Sequence, residues 1–254
     1  MRTLPIWIAT IVLGCAVPAT AHEVEAPRDI VAAALEAHGG DLFLDPVTLT
    51  LAGEAVFYDP RTGLVRSRAD DYRMWRAMER GRTEAHGADG KVRIIARSGD
   101  TVLFEVGYDG ETTWTQDGIM PQAEADAYWA SNFGFGIIRS ALDDGFTLSR
   151  APDRDIMGRP TQIVRLTDRA GQDTLFGVDA ASHRITYMAF AAPRGWHERL
   201  YSDFVVLPSG WAQAREVTLL YDGVVSNTVY WREVRVGEEI DPAVFTPPAA
   251  NEAE

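Results

Sequence analysis

Apolar and polar residues alternate with a period of two along most of this chain, the pattern of half-buried β-strands. Val47, Leu49 and Leu51, followed by Ala55 and Phe57, put one apolar face on a strand over residues 47–58. Asp59-Pro60-Arg61-Thr62-Gly63 is a turn, since Asp bonds local backbone, Pro presets φ and Gly accepts a positive one. The longer, more polar run 64–86 has Tyr72, Met74, Ala77 and Met78 as its expected inward positions. Arg73, Arg76, Arg80 and Arg82 between them read as a solvated strand face. Asp89-Gly90 is a tight-turn signal, residues 91–97 and 101–108 form a hairpin across Ser98-Gly99-Asp100, and 111–115 is a short strand. Further strands are expected at 161–167, 173–178, 184–190, 196–206, 211–221 and 224–236, with 150–155 read as loop. Asp222-Gly223 is the clearest two-residue hairpin turn. The tally is about eleven strands without a long linker, and so many twisted strands cannot stay flat. The expected fold is mainly β, a single strongly curved antiparallel sheet.

Two stretches break the alternation. Pro27 and Asp29 open a helix through Ile30, Val31, Ala34, Leu35 and His38, and Gly39-Gly40 ends it. His38 falls in the last turn, where a side-chain donor suits the free carbonyls. Between residues 121 and 146, Tyr128, Trp129, Phe133, Ile137, Ile138, Ala141 and Leu142 recur at steps of three and four, one face of a helix. Gly134 and Gly136 interrupt the run and predict two short helices with a bend. Such a segment must dock on the sheet, either as a cap on a filled core or as a lid on a hollow one.

The chain ends suggest a compartment. Residues 1–21 have a basic start at Arg2, an apolar run from Leu4 to Val17 and a small-x-small site at Ala19-Thr20-Ala21, which reads as a secretory signal cleaved before His22. Val12-Leu13-Gly14-Cys15 also resembles a lipoprotein box, in which Cys15 carries the lipid. The organisation expected is a signal over 1–21, one domain over 22–247 and a disordered tail over 248–254, with the protein in the periplasm or, by the alternative, anchored through Cys15. Cys15 is the only cysteine, so stability must come from the core rather than from disulfides. A formal charge of −13 argues against nucleic acid and anionic lipid surfaces as partners.

No zinc pattern, nucleophile elbow or phosphate loop is present, and no cofactor is expected. His183 and His197 fall on neighbouring expected strands, and with Glu198 and Asp203 they form the one candidate metal cluster, hence the alternative of a metal-dependent enzyme. A third alternative is an envelope scaffold whose helices are ordinary core.

The order of several short motifs carries a resemblance. Ala37-His38-Gly39-Gly40 follows the first helix, Tyr108-Asp109-Gly110 precedes Trp114 and the helical insert, and Gly158-Arg159-Pro160-Thr161 leads into Val164-Arg165-Leu166. Phe176-Gly177-Val178-Asp179, His183-Arg184-Ile185 and Tyr201-Ser202-Asp203-Phe204 complete the series. This order resembles the outer-membrane lipoprotein-sorting-like proteins of the LolA/LolB-like superfamily over roughly residues 26–247. The resemblance implies an incomplete barrel with short helices plugging its concave face around a cavity for acyl chains. It implies a non-catalytic carrier or sorting role, with an acyl chain or lipid-modified protein as ligand and a partner in the inner or outer membrane. Trp114, Tyr128, Trp129, Phe133, Phe135, Ile137, Ile138 and Leu142 are then the expected cavity lining, and Gly134 and Gly136 the hinge of the plug.

Overall fold

A computed structural model describes residues 25–247 except 80, 82, 83, 89 and 133. The expected signal, Cys15, the tail 248–254, Arg80, Arg82, Asp89 and Phe133 therefore lie outside the described residues. The first helix, α1 (Pro27–His38), begins on the expected proline and buries Ile30, Val31, Ala34, Leu35 and His38. Its end is closed by backbone alone: Gly39 N–H donates to Glu36 O and Gly40 N–H to Leu35 O, with both glycines at positive φ. His38 is thereby released from capping its own helix. Its Nε2 instead accepts the Ile185 N–H at 2.9 Å, tying α1 to a strand nearly 150 residues away. A four-residue turn of helix, α2 (Asp41–Leu44), follows and buries Phe43.

Thirteen strands of the described residues form one antiparallel sheet. The first run is β1 (Thr48–Tyr58), β2 (Val65–Ala77), β3 (Lys91–Ser98), β4 (Thr101–Tyr108), β5 (Thr113–Thr115) and β6 (Gly118–Ile119). The second is β7 (Thr147–Ile156), β8 (Arg159–Thr167), β9 (Asp173–Asp179), β10 (Ile185–Ala192), β11 (Gly195–Val206), β12 (Ala212–Tyr221) and β13 (Val224–Val236). Each run is a meander, and they join where β1 pairs with β13. The edges are thus β6 and β7, consecutive strands at opposite ends of one sheet. The chain between them must cross from edge to edge, and it does so as α3 (Gln122–Asn132) and a 3₁₀ turn (Phe135–Ser140). This is the expected pair of short helices with a break near Gly134.

Two strands exceed the expected eleven. β6 has only two residues, too few to show alternation. β7 covers the residues read as loop, 150–155, because Pro152 and four charged side chains look unlike a strand. An edge strand tolerates both, and the pairing with β8 is irregular between Ala151 and Arg154, just where Pro152 sits.

The main core lies on the concave side. It gathers α1, the 3₁₀ turn through Ile137 and Ile138, and the inward residues Val164, Leu166, Phe176, Val178, Met188 and Phe190. A smaller cluster of Ile163, Leu175, Tyr187 and Ala189 occupies the other face of β8–β10. These strands are covered on both sides, whereas β1–β4 and β11–β13 face a space that the helices only partly fill.

The buried His38 makes stability depend on pH. Burial, together with Arg184 and Arg139, pulls its pKa from 6.5 to about 4, and a backbone hydrogen bond with Ala212 opposes the shift. The folded protein then resists protonation that the unfolded chain accepts below 6.5. Stability is complete above that pH and declines as it falls toward 4, by about 3 kcal/mol from this residue. Urea unfolding at pH 7 and pH 4 should show a smaller difference in a His38→Gln variant than in the parent chain; an equal difference in both would disprove the assignment.

Candidate functional site

Period two along the concave strands builds the site. On β2, Tyr72, Met74 and Arg76 face inward together, so the arginine at the third position shares the apolar face. Arg76 is buried, 8% exposed, rather than part of a solvated stripe, and the expected inward Ala77 gives place to it. On β1, Leu49, Leu51 and Phe57 line the same space; on β13, Asn227, Val229 and Trp231 do. β12 adds Ala214, Val217 and Leu219, and β11 adds Arg199, Tyr201 and Phe204. The cavity that these residues line has a volume of about 230 Å³.

Aromatic rings form about a third of the wall. Tyr72 lies 5.3 Å from Trp231 and 6.0 Å from Phe104, and Phe57 meets Phe104 edge-on at 5.8 Å. Burial raises the pKa of Tyr72 and Tyr201 to about 12 and that of Tyr128 higher, so the wall carries no phenolate. The arginines Arg76, Arg139 and Arg199 are the charged groups among the described lining residues.

The insert closes the space through a latch at the end of α3. The last carbonyls of a helix lack intrahelical partners, and here side chains of the sheet supply them. Ser131 O accepts from His197 Nδ1 at 2.8 Å and from the Tyr221 hydroxyl at 2.7 Å. Asn132 O accepts from Arg199 Nη2 at 2.5 Å. A carbonyl only accepts, so His197 carries its proton on Nδ1. Burial and the neighbouring Arg199 lower its pKa to about 2, and it stays neutral, stacked on Phe190 at 4.4 Å. Trp129 Nε1 donates to Thr113 Oγ1 at 2.7 Å and fixes the helix to β5. The first turn of α3 is largely exposed.

The residues expected to line the cavity are distributed as follows. Tyr128 and Phe135 line it, as do Gly134 and Gly136. Trp129 is buried beside the cavity, with its ring edge-on to Tyr128. Ile137 and Ile138 are fully buried in the core, and Leu142 packs against that core from its surface. Trp114 lies on the opposite face of the sheet. It sits over Gly107, where a Cβ would come within 2.2 Å of its ring, and 5.5 Å below the Arg93 guanidinium. Its direction follows from pairing with Gly107, a cross-strand relation that a three-residue strand cannot display by itself. Gly134 is where the chain passes Phe190: a Cβ there would lie 2.8 Å from that ring. The three arginines escaped sequence reasoning because charge reads as solvated. The available signal was parity: Arg76 follows Met74 by two residues, and Arg199 precedes Tyr201 by two.

The proposed metal pair does not converge. His183 sits in the turn before β10 and His197 opposite Phe190 at its far end. Among the described residues no group of three His, Cys, Asp or Glu side chains is placed to hold a metal.

Solved structures share this architecture at low sequence identity. A DUF1329 family protein from Desulfovibrio piger superposes with a TM-score of 0.55 at 12% identity, covering 87% of this chain and 97% of its own. A LolA superfamily protein from Nitrosomonas europaea gives 0.52 at 11%, with the same coverage. The chain has the LolA-like fold. An outer membrane lipoprotein-sorting protein domain assigned in Vibrio parahaemolyticus gives 0.50 at 10% identity, again over 87% of this chain and 97% of that one. No protein-family model and no curated protein matches the sequence. The LolA-like half-barrel accounts for the open sheet, with an edge-to-edge helical insert on its concave side.

Proposed function

We propose that this protein is a non-catalytic carrier that holds an acyl chain, free or attached to a lipid-modified protein, in the hollow of its half-barrel. The observation that carries the reading is the cavity of about 230 Å³ left between plug and sheet. It exceeds the ~150 Å³ engineered hollow that stays dry and takes up benzene. Left empty, such a volume costs on the order of 5 kcal/mol at ~24 cal/mol per Å³, a large share of the 5–15 kcal/mol that stabilises a domain. Each methylene placed there returns ~0.8 kcal/mol. A chain longer than the hollow requires the insert to lift about Gly134 and Gly136. A scaffold with a solid interior fits this geometry less well.

The expected site of action is the periplasm, supported by the leader-like residues 1–21 and by the sorting-domain likeness of the fold. Among the described residues no helix is long and apolar enough to cross a membrane. The test is titration of delipidated protein with an environment-sensitive alkyl probe, followed by displacement with fatty acids of increasing length. Saturable binding that tightens with chain length is expected. Absence of binding by every alkyl ligand, together with native mass spectra free of lipid, would refute the carrier.

A further inference from the structure

Two buried polar atoms in the cavity stand together, with no well-formed hydrogen bond to the rest of the protein. Arg199 and Tyr201 are two residues apart on β11, so both side chains take the concave face, and both line the hollow. The Tyr201 hydroxyl is buried, in a residue only 7% exposed; Arg199 stands beside it, and it makes no well-formed hydrogen bond to any other group. Arg199 Nε is likewise buried and unbonded. Its Nη2 is spent on Asn132 O, and among the described residues no carboxylate lies within 4 Å of this guanidinium. The helix end at Asn132 offers a partial negative charge of about one half, less than the unit charge opposite. Around Arg199 stand Tyr72, Tyr128 and Tyr221, uncharged in this setting, and neutral His197. Buried polar atoms are almost always satisfied, so the half-buried Arg199 and the Tyr201 hydroxyl together leave donors available to a guest in the hollow.

We propose that the ligand is a single-chain amphiphile with an anionic head, of the fatty-acid class, whose oxyanion is received by Arg199 and Tyr201 while its tail follows the aromatic wall. Both protein groups donate, a guanidinium edge suits the flat two-oxygen carboxylate, and the phenol supplies a second donor on the same side. The tail runs toward Tyr72, Phe104 and Trp231. This assignment rests on the carrier reading and specifies its cargo.

The test compares laurate, dodecanol and dodecyltrimethylammonium, ligands of one tail length and three head charges, in displacement of a neutral alkyl probe from the delipidated full-length protein. Laurate should bind at least about tenfold tighter than dodecanol, and the cation weakest, as a charge-assisted pair of donors requires. Arg199→Met should reduce the laurate preference to about parity. Tyr201→Phe, which leaves the latch to Asn132 whole, should reduce it by about threefold; circular dichroism confirms that both variants are folded. Equal affinities for laurate and dodecanol in the parent protein would overturn the anionic head while leaving the carrier standing. An undiminished laurate preference in folded Arg199→Met would do the same, and failure of all three ligands to bind would remove both readings.

Discussion

Replacing Ala214 with methionine is expected to leave the fold intact, raise its melting temperature slightly and weaken alkyl binding about fiftyfold. Ala214 is buried on β12, opposite Phe204, and lines the hollow. Methionine adds three heavy groups on a flexible stem, suited to an irregular gap. They take up part of the available space that a guest would otherwise fill. A ligand then loses about three methylenes of burial at ~0.8 kcal/mol each, which corresponds to the stated loss of affinity. Filling the void should return about 1 kcal/mol to the unliganded protein, or 2–4 °C for a chain of this size. Thermal melts and probe titrations on the same preparation check both halves. A destabilised variant with unchanged affinity would place the ligand elsewhere.

The second large effect separates the two halves of the interior. Leu166 and Leu51 are the same residue type and equally concealed, at 0% and 2% exposure. Leu166 is in the packed half on β8, paired with Leu148 and Thr174, whereas Leu51 borders the hollow. Leu166→Ala should cost about 4 kcal/mol, because its neighbours are fixed from both sides and the new void cannot collapse. Leu51→Ala should cost about 2 kcal/mol, since part of its surface already lacks contact atoms. Denaturant midpoints with unchanged slopes measure the difference. Equal losses would mean that the space beside Leu51 is closed in solution.

The sequence displayed the sheet through short-range rules, and these hold at the turns and along β1. Asp222-Gly223 joins β12 to β13, Gly39-Gly40 ends α1, and the alternation on β1 places Leu49, Leu51 and Phe57 together. What it concealed depends on distant partners. Trp114 points outward because Gly107 leaves room for it. His38 accepts from Ile185 rather than serving its own helix. Residues 150–155 form a strand because an edge needs no second hydrogen-bonded neighbour. Within the insert, the helical stripe divided between two environments: Tyr128 faces the hollow, while Ile137 and Ile138 face solid core. Periodicity identifies a face but not what that face meets. For Arg199 the sequence offered only its parity with Tyr201; its meaning comes from the helix end at Asn132 and from the lack of an acid beside it among the described residues.

The insert leaves from one rim of the sheet and returns to the other, so a plug displaced from its seat stays captive. In the proposed carrier it would act as a tethered competitor whose effective concentration is set by the few residues on either side of it, independent of how much protein is present. Occupancy of such a carrier would then be a contest between a mobile guest and a resident one. Whatever weakens the guest's hold, whether dilution or a better acceptor, lets the resident return at once without rebinding from solution. Cargo release in such a design requires no consumed energy source, only a destination that binds the tail more strongly than this hollow does once the plug's return is counted.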